Sequence, residues 1–393
     1  MLLTSVCSES KALNHAVEDY SLVIYTYDSL LADPGYDFIS GFSNYSGILE
    51  EDIQVILLSD ANSIVTQAAL EKDNPVADVL IGIDNVLIYT AKEEEILQPY
   101  DSPALSNISQ TIIDNLDSEK YVLPYDMGVI ALWHSVNRIN TTTNPELANL
   151  TLQDILDYDL DKKLVVQNPN FSSPGLGFLL WTIAVYGDAN IGFEGLLGQN
   201  WRDWWKEAKK DLRIVSSWGD AFSIYYTEEE NRPMMVSYGT SPAYDVCHTI
   251  YGVGEGNPPP SAAVLSHEQN LENAWLQIEG IGLVNNSPHP DAGKQFIDWF
   301  LSKELQDNIP LNNWMYPVHE NATISSCFID NSINPNEVDI LNNLISSELL
   351  KDNLEMWKRD WKTEVAPFSN FLGIVLSILT ASIAYVIIKK HRN

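Results

Sequence analysis

Ser172 and Ser173 stand in "QNPNFSSPGLGFLLW", where a short apolar run ends and an apolar helix begins. Ser173 suits the N-cap of that helix and Pro174 its first turn. The unpaired N–H groups of such an end, with two hydroxyls beside them, make a place for an anion or a small polar group. "SYGTSPAYDV" repeats the device, with Tyr238, Gly239, Thr240 and Ser241 after an apolar run, Ser241 as N-cap and Pro242 opening the helix. Two such ends suit a ligand with two polar ends or a phosphate.

Tyr25, Tyr27, Tyr125, Trp218, Tyr238, Tyr244 and Trp314 lie at or near breaks of this kind, as do Asp28, Asp60, Asp84 and Asp126. Aromatic faces with carboxylates between them suit a flat, positively charged heterocycle, each cation–π contact being worth about 0.5–2 kcal/mol. Groups for bond-breaking chemistry are lacking. The chain has no G-x-S-x-G, H-E-x-x-H or P-loop, and its seven His have no metal-ligand spacing. Cys7, Cys247 and Cys327 are far apart and form no C-x-x-C pair, which leaves room for one disulfide and indicates no zinc site. The residues therefore read as a binding site, with no catalytic group, no metal and no cofactor.

The elements that must position these residues are continuous apolar runs. "YSLVIYTYDS", "IQVILLSDANS", "VADVLIGIDN", "KLVVQNPNFSSPG" and "RPMMVSYGTSPAY" each end in polar residues. Runs without alternation suit strands buried on both faces, and amphipathic helical patterns at 61–72, 199–211 and 291–305 fill gaps between them. The class is α/β with parallel sheets, in which ligands sit outside the carboxyl ends of the strands. The five polar breaks fall at those ends.

Composition narrows the partners. The 393 residues carry 54 Asp+Glu against 22 Lys+Arg, a net charge of -32, which repels nucleic acid and draws in a small cation. Residues 368–388 form a charge-free apolar run long enough to cross a bilayer, followed by Lys389, Lys390, His391 and Arg392. This predicts a C-terminal transmembrane anchor with a cytoplasmic tail and the rest of the chain outside the cell membrane. "MLLTSVCSES" has an apolar start without a basic leader, consistent with the remnant of a signal sequence. N-x-S/T acceptors at Asn44, Asn107, Asn140, Asn149, Asn170 and Asn321 suit an exported domain.

"VIYTYDS", "GIDN", "PYDMG", "QNPNFSSPGLGFLLW", "SWGDAF", "SYGTSPAY" and "NNWMYPV" occur in an order and at spacings that resemble the thiamine-binding proteins of ABC importers, over about residues 22–318. The resemblance implies a two-lobed periplasmic-binding-protein fold of the type II kind, with two crossovers between lobes. It implies thiamine, thiamine phosphate or thiamine diphosphate in the cleft, an ABC permease as partner, and a monomer. By it, residues 20–125 and 281–335 form lobe 1 and 126–280 lobe 2. Residues 1–19 form an N-terminal segment, 336–366 a helical region, 367–388 the anchor and 389–393 the basic tail.

The ligand positions that the resemblance implies are Asp60, Ala61, Ser172, Ser173, Trp218, Tyr238, Gly239, Thr240 and Ser241, with Tyr27, Asp28, Tyr244 and Trp314 lining the same cleft. Trp218 and Tyr238 would stack on the ligand, and Asp60 would accept from the aminopyrimidine or oppose the thiazolium. Gly239 stands where a bulkier polar residue is expected, so it and Ala61 would offer backbone groups alone. Two alternatives stay open: ferric iron, on the paired Tyr225 and Tyr226, and a thiamine-degrading enzyme, which needs a nucleophilic Cys at the cleft.

Overall fold

β1 (Leu22–Tyr27), β2 (Ile53–Leu58) and β3 (Val79–Asp84) form where the apolar runs place them, with β1 parallel to both neighbours. The computed structural model describes residues 20–32, 35–227, 230–248 and 260–364. Around these strands pack α1 (Phe38–Ser46), α2 (Ala61–Leu70), α3 (Leu87–Glu93) and α4 (Gln110–Asp117), with the short β4 (Leu97–Gln98) at the side.

β5 (Leu123–Ser135) leads the chain out of this lobe. The second lobe holds β6 (Leu164–Gln167), α5 (Ser173–Tyr186), α6 (Trp201–Ala208), β7 (Arg213–Val215), α7 (Trp218–Thr227), β8 (Met234–Tyr238), α8 (Ser241–Cys247) and β9 (Ser261–Val264). β10 (Ser266–Glu268) and β11 (Leu271–Ala274) follow, and β12 (Leu276–Val284) returns to the first lobe, where α9 (Pro290–Phe300) packs.

The large sheet runs β2-β1-β3-β12-β5-β8-β6-β7. Its outer strands are parallel as expected, but β5 and β12 run antiparallel to their neighbours, so the sheet is mixed. The reason is topological: a strand that carries the chain from one lobe to the other must lie against both. β5 does so with a single strand, pairing β12 through Leu123–Val129 and β8 through Ile130–His134.

A third passage joins the lobes. β13 (Tyr316–Pro317) pairs with Met127 and Asp126 of β5, and His319 bridges to Ile108 in lobe 1. α10 (Ser326–Asp330) then lies on α8, to which the Cys247–Cys327 disulfide bonds it. β14 (Asp339–Ile340) adds to β11, and α11 (Ser347–Glu364) packs on α6. Within the stretch expected as a helical region, α11 and β14 thus pack on α6 and β11 of the second lobe. Arg202 of α6 holds Asp188 at 2.5 Å and Asp360 of α11 at 2.6 Å, Trp357 donates to Asp188 at 2.8 Å, and the rings of Trp205 and Trp361 meet edge to face. Among the described residues no helix is long and apolar enough to cross a membrane; the run at 368–388, the basic tail and residues 1–19 with Cys7 lie outside them.

α5 sets the position of the cleft. It is apolar all round and buried along nearly its whole length, so it forms the centre of lobe 2. A Cβ on Gly175 would come within 2.5 Å of the Gln167 carbonyl, and this close approach seats the start of α5 against the end of β6.

Candidate functional site

A cleft of about 530 Å³ opens between the lobes at the carboxyl ends of the strands. Tyr27 and Asp28 follow β1, Asp60 and Ala61 start α2, and Asn313 and Trp314 approach from the segment before β13. Opposite them stand Ser172 and Ser173 at α5, Trp218 at α7, Tyr238 closing β8, and Ser241 and Tyr244 on α8. The structure brings these sequence-predicted residues together. Gly239 and Thr240 are exceptions. Gly239 faces away, its N–H bonded to the Val129 carbonyl and its own carbonyl accepting from Ile333, so it has no backbone donor to offer a ligand. A Cβ there would press on Ile333 and Val129 at 2.9 Å, which accounts for glycine where a larger residue was expected. Thr240 is fully buried behind the wall.

Each helix cap lies one residue earlier than expected. Ser172 caps α5, with Ser173 and Pro174 in its first turn, and Thr240 precedes α8. The shift has a consequence for chemistry. Ser173 Oγ donates to Asp84 Oδ2 at 2.6 Å, whereas Ser172 Oγ is buried with no partner. Asp60 caps α2 by accepting from the Ser63 N–H at 2.9 Å while it lines the cleft. Ser241 Oγ is bonded to Ser237 at 2.7 Å, and Ser237 accepts from Trp218 Nε1 at 2.9 Å.

The aromatic walls are layered. Trp218 stacks on Phe222 at 4.9 Å, and Tyr244 meets Trp314 edge to face at 5.1 Å across the lobes. Trp314 holds a φ of 57°, a region that bulky side chains rarely occupy. Trp133 and Phe222, unmarked in the sequence, also line the cleft.

The floor holds a group that sequence reasoning missed. Glu279 of β12 accepts from Tyr27 at 2.8 Å, from Tyr125 at 2.7 Å and from Gln277 at 2.7 Å, and Gln277 donates also to Tyr238. Burial pushes the Tyr27, Tyr125 and Tyr238 hydroxyls well above their ordinary range, so all three remain donors. Asp126 accepts from Asn313 at 2.6 Å. The available signal was "LQIEGIG", in which Gln277 and Glu279 put two polar side chains on one face of an otherwise apolar strand.

Among the described residues none that lines the cleft is Lys, Arg or His. No group of three or more His, Cys, Asp or Glu there could hold a metal. Tyr225 packs on Trp133 at 4.5 Å, Tyr226 bonds Asp245, and neither reaches the cleft. Cys247 and Cys327 are joined to each other, so neither is a free nucleophile.

Residues 49–307 match the family described as bacterial extracellular solute-binding protein. The chain belongs to that family. It is a solute-binding protein of the ABC-importer kind, with the α/β periplasmic-binding-protein fold. The thiamine-binding periplasmic protein of Escherichia coli K12 is 28% identical over 78% of this chain and 83% of its own length. Among solved structures, a periplasmic thiamin binding protein superposes with a TM-score of 0.70 at 24% identity, over 88% of this chain and 96% of that one. A ferric binding protein from Campylobacter jejuni superposes with a TM-score of 0.64 at 17% identity, over 86% of this chain and 99% of that one, and shares the fold alone.

Proposed function

We propose that this solute-binding protein takes up thiamine or its phosphate esters in the interlobe cleft and delivers them to an ABC permease, without catalysis and without a cofactor. The observation that carries the reading is a cleft with Trp218, Tyr238, Tyr244 and Trp314 as aromatic walls over a floor carboxylate, Glu279, and without a lining cation among the described residues. A planar ring with a fixed positive charge fits such a site: the rings supply cation–π faces and the carboxylate the counter-charge. Names borne by relatives over most of the chain support the same ligand.

A phosphorylated end has its own support. Ser172, at the N-cap of α5, lines the cleft, and its buried hydroxyl has no partner, which supports a place for a phosphate oxygen at this helix end. Ferric iron has less in its favour, because the paired tyrosines are engaged elsewhere. Calorimetry with thiamine, its mono- and diphosphate and Fe(III) tests the reading: thiamine compounds bind at one site and iron does not.

The binding domain is extracytoplasmic, and the charge-free run at 368–388 with its basic tail is proposed to tether it to the membrane. Fractionation of the full chain and of a form ending near residue 365 tests this. The full chain sediments with membranes and the shortened one is released.

A further inference from the structure

Glu279 is in register with Asp126 of β5 on one side and with Asp84 of β3 on the other, so three carboxylates lie abreast under the cleft. Asp126 is fully buried, and its Oδ1 has no hydrogen-bond partner. Tyr27, Tyr125 and Gln277 turn donors toward Glu279, and Asn313 turns one toward Asp126, but these are neutral. Tyr238 is the other titratable group at this floor, and its hydroxyl is held by Gln277. Among the described residues, Lys358 supplies a positive charge that is felt at Asp84. Burial pushes the Asp126 and Glu279 carboxyls up, and the Glu279 charge pushes Asp126 further.

Two carboxylates held side by side away from water do not both ionise cheaply, and a positive charge arriving beside them lowers that cost. Of the two, Glu279 is the one that lines the cleft. We propose that the Asp126–Glu279 pair is the ligand's counter-ion: it holds one proton in the empty cleft and releases it to solvent when a fixed positive charge binds against Glu279. This rests on the cationic-ligand reading above and adds to it a residue that sets specificity and a pH dependence. The sign follows from the direction of the shift. The carboxyl is harder to ionise in the empty protein than in the complex, so binding tightens as pH rises through the empty-state value and is level above it.

The test is calorimetry of the full chain with thiamine, across pH and in buffers of different ionisation heat, on wild type, Glu279→Gln and Asp126→Asn. Wild type releases up to about one proton per ligand in the range where the pair titrates. Glu279→Gln keeps the shape and hydrogen-bonding reach of the side chain but loses the proton release and binds roughly thirtyfold more weakly. Asp126→Asn relieves the repulsion, so it releases fewer protons and binds more tightly than wild type at acidic pH. Proton release that persists in Glu279→Gln belongs to the ligand's own aminopyrimidine and counts against the proposal. Wild-type binding with Glu279→Gln of equal affinity and pH profile overturns the proposal and leaves the thiamine reading intact. No thiamine binding by wild type overturns both.

Discussion

Ser173 and Asp84 are joined by a 2.6 Å hydrogen bond from the first turn of α5 to the end of β3, so one side-chain contact ties the two lobes directly across the cleft. Asp84 also accepts from the Val86 and Leu87 N–H groups, which fixes the carboxylate that receives Ser173. The two serines of one motif thus have different work, and each can be tested alone.

Ser173→Ala removes a bond to a carboxylate and lowers stability by about 1.5–3 kcal/mol. Ser172→Ala removes a hydroxyl that has no partner and leaves the melting temperature nearly unchanged. It weakens thiamine phosphates relative to thiamine by about tenfold, the value of one lost charge-assisted bond. Melting curves and affinities for thiamine and its monophosphate, measured on both variants, check the division. A large stability loss in Ser172→Ala with no change in the ratio of affinities would assign that serine to the fold.

Trp218→Ala deletes an aromatic wall and the bond to Ser237, and weakens thiamine binding by about tenfold or more. Trp218→Phe keeps a ring for stacking on Phe222 and loses the bond alone, so its loss is smaller. Equal affinities for wild type and both folded variants would remove Trp218 from the site.

How far the site could be read from the sequence follows from which strands are parallel. Asp60, Asp84, Ser172 and Tyr238 were legible because each strand before the cleft is an unbroken apolar run, and the polar residues at its end or within a few positions of it mark the cleft. Glu279 was not legible in this way. It lies within β12, an antiparallel strand that passes under the cleft instead of ending at it. Trp133 was hidden for the related reason that it sits on β5, where an aromatic residue reads as core. The cap positions at Ser172 and Thr240 slipped by one residue because Ser-Ser-Pro and Thr-Ser-Pro each offer two hydroxyls, and Pro fits either of the first helical positions. The docking of residues 336–364 depends on Arg202, Asp188 and Asp360, which are far apart in sequence and carry no local pattern.

The Cys247–Cys327 bond spans 80 residues and fastens α8, which carries Ser241 and Tyr244 into the cleft, to α10. Replacing both cysteines by serine lowers stability by about 2–5 kcal/mol. Denaturant melts of the variant, and of wild type with and without a thiol reductant, check this. Reductant shifts the wild-type midpoint down and leaves that of the variant in place.

Burial works against the Asp188 charge, yet donors from Arg202 and Trp357 outweigh it and hold this carboxyl below its usual range. Its folded value is depressed, so its contribution to stability is complete above the unfolded value of about 3.9 and is lost as pH falls through the folded one. Asp188→Asn therefore costs about 3–5 kcal/mol at neutral pH, by leaving Arg202 short of a buried partner. Urea melts of both proteins across pH show a gap that is full at neutral pH and narrows in acid. A gap that widens in acid would reverse the assignment.

Calorimetric titration of thiamine into the full chain, repeated with Trp218→Ala, tests the central claim most directly. The account predicts one saturable site in the wild type, weakened about tenfold or more in the variant, with Fe(III) giving no heat of binding in either. Thiamine without effect on the wild type, or binding that Trp218→Ala leaves untouched while Fe(III) saturates a site, would contradict it.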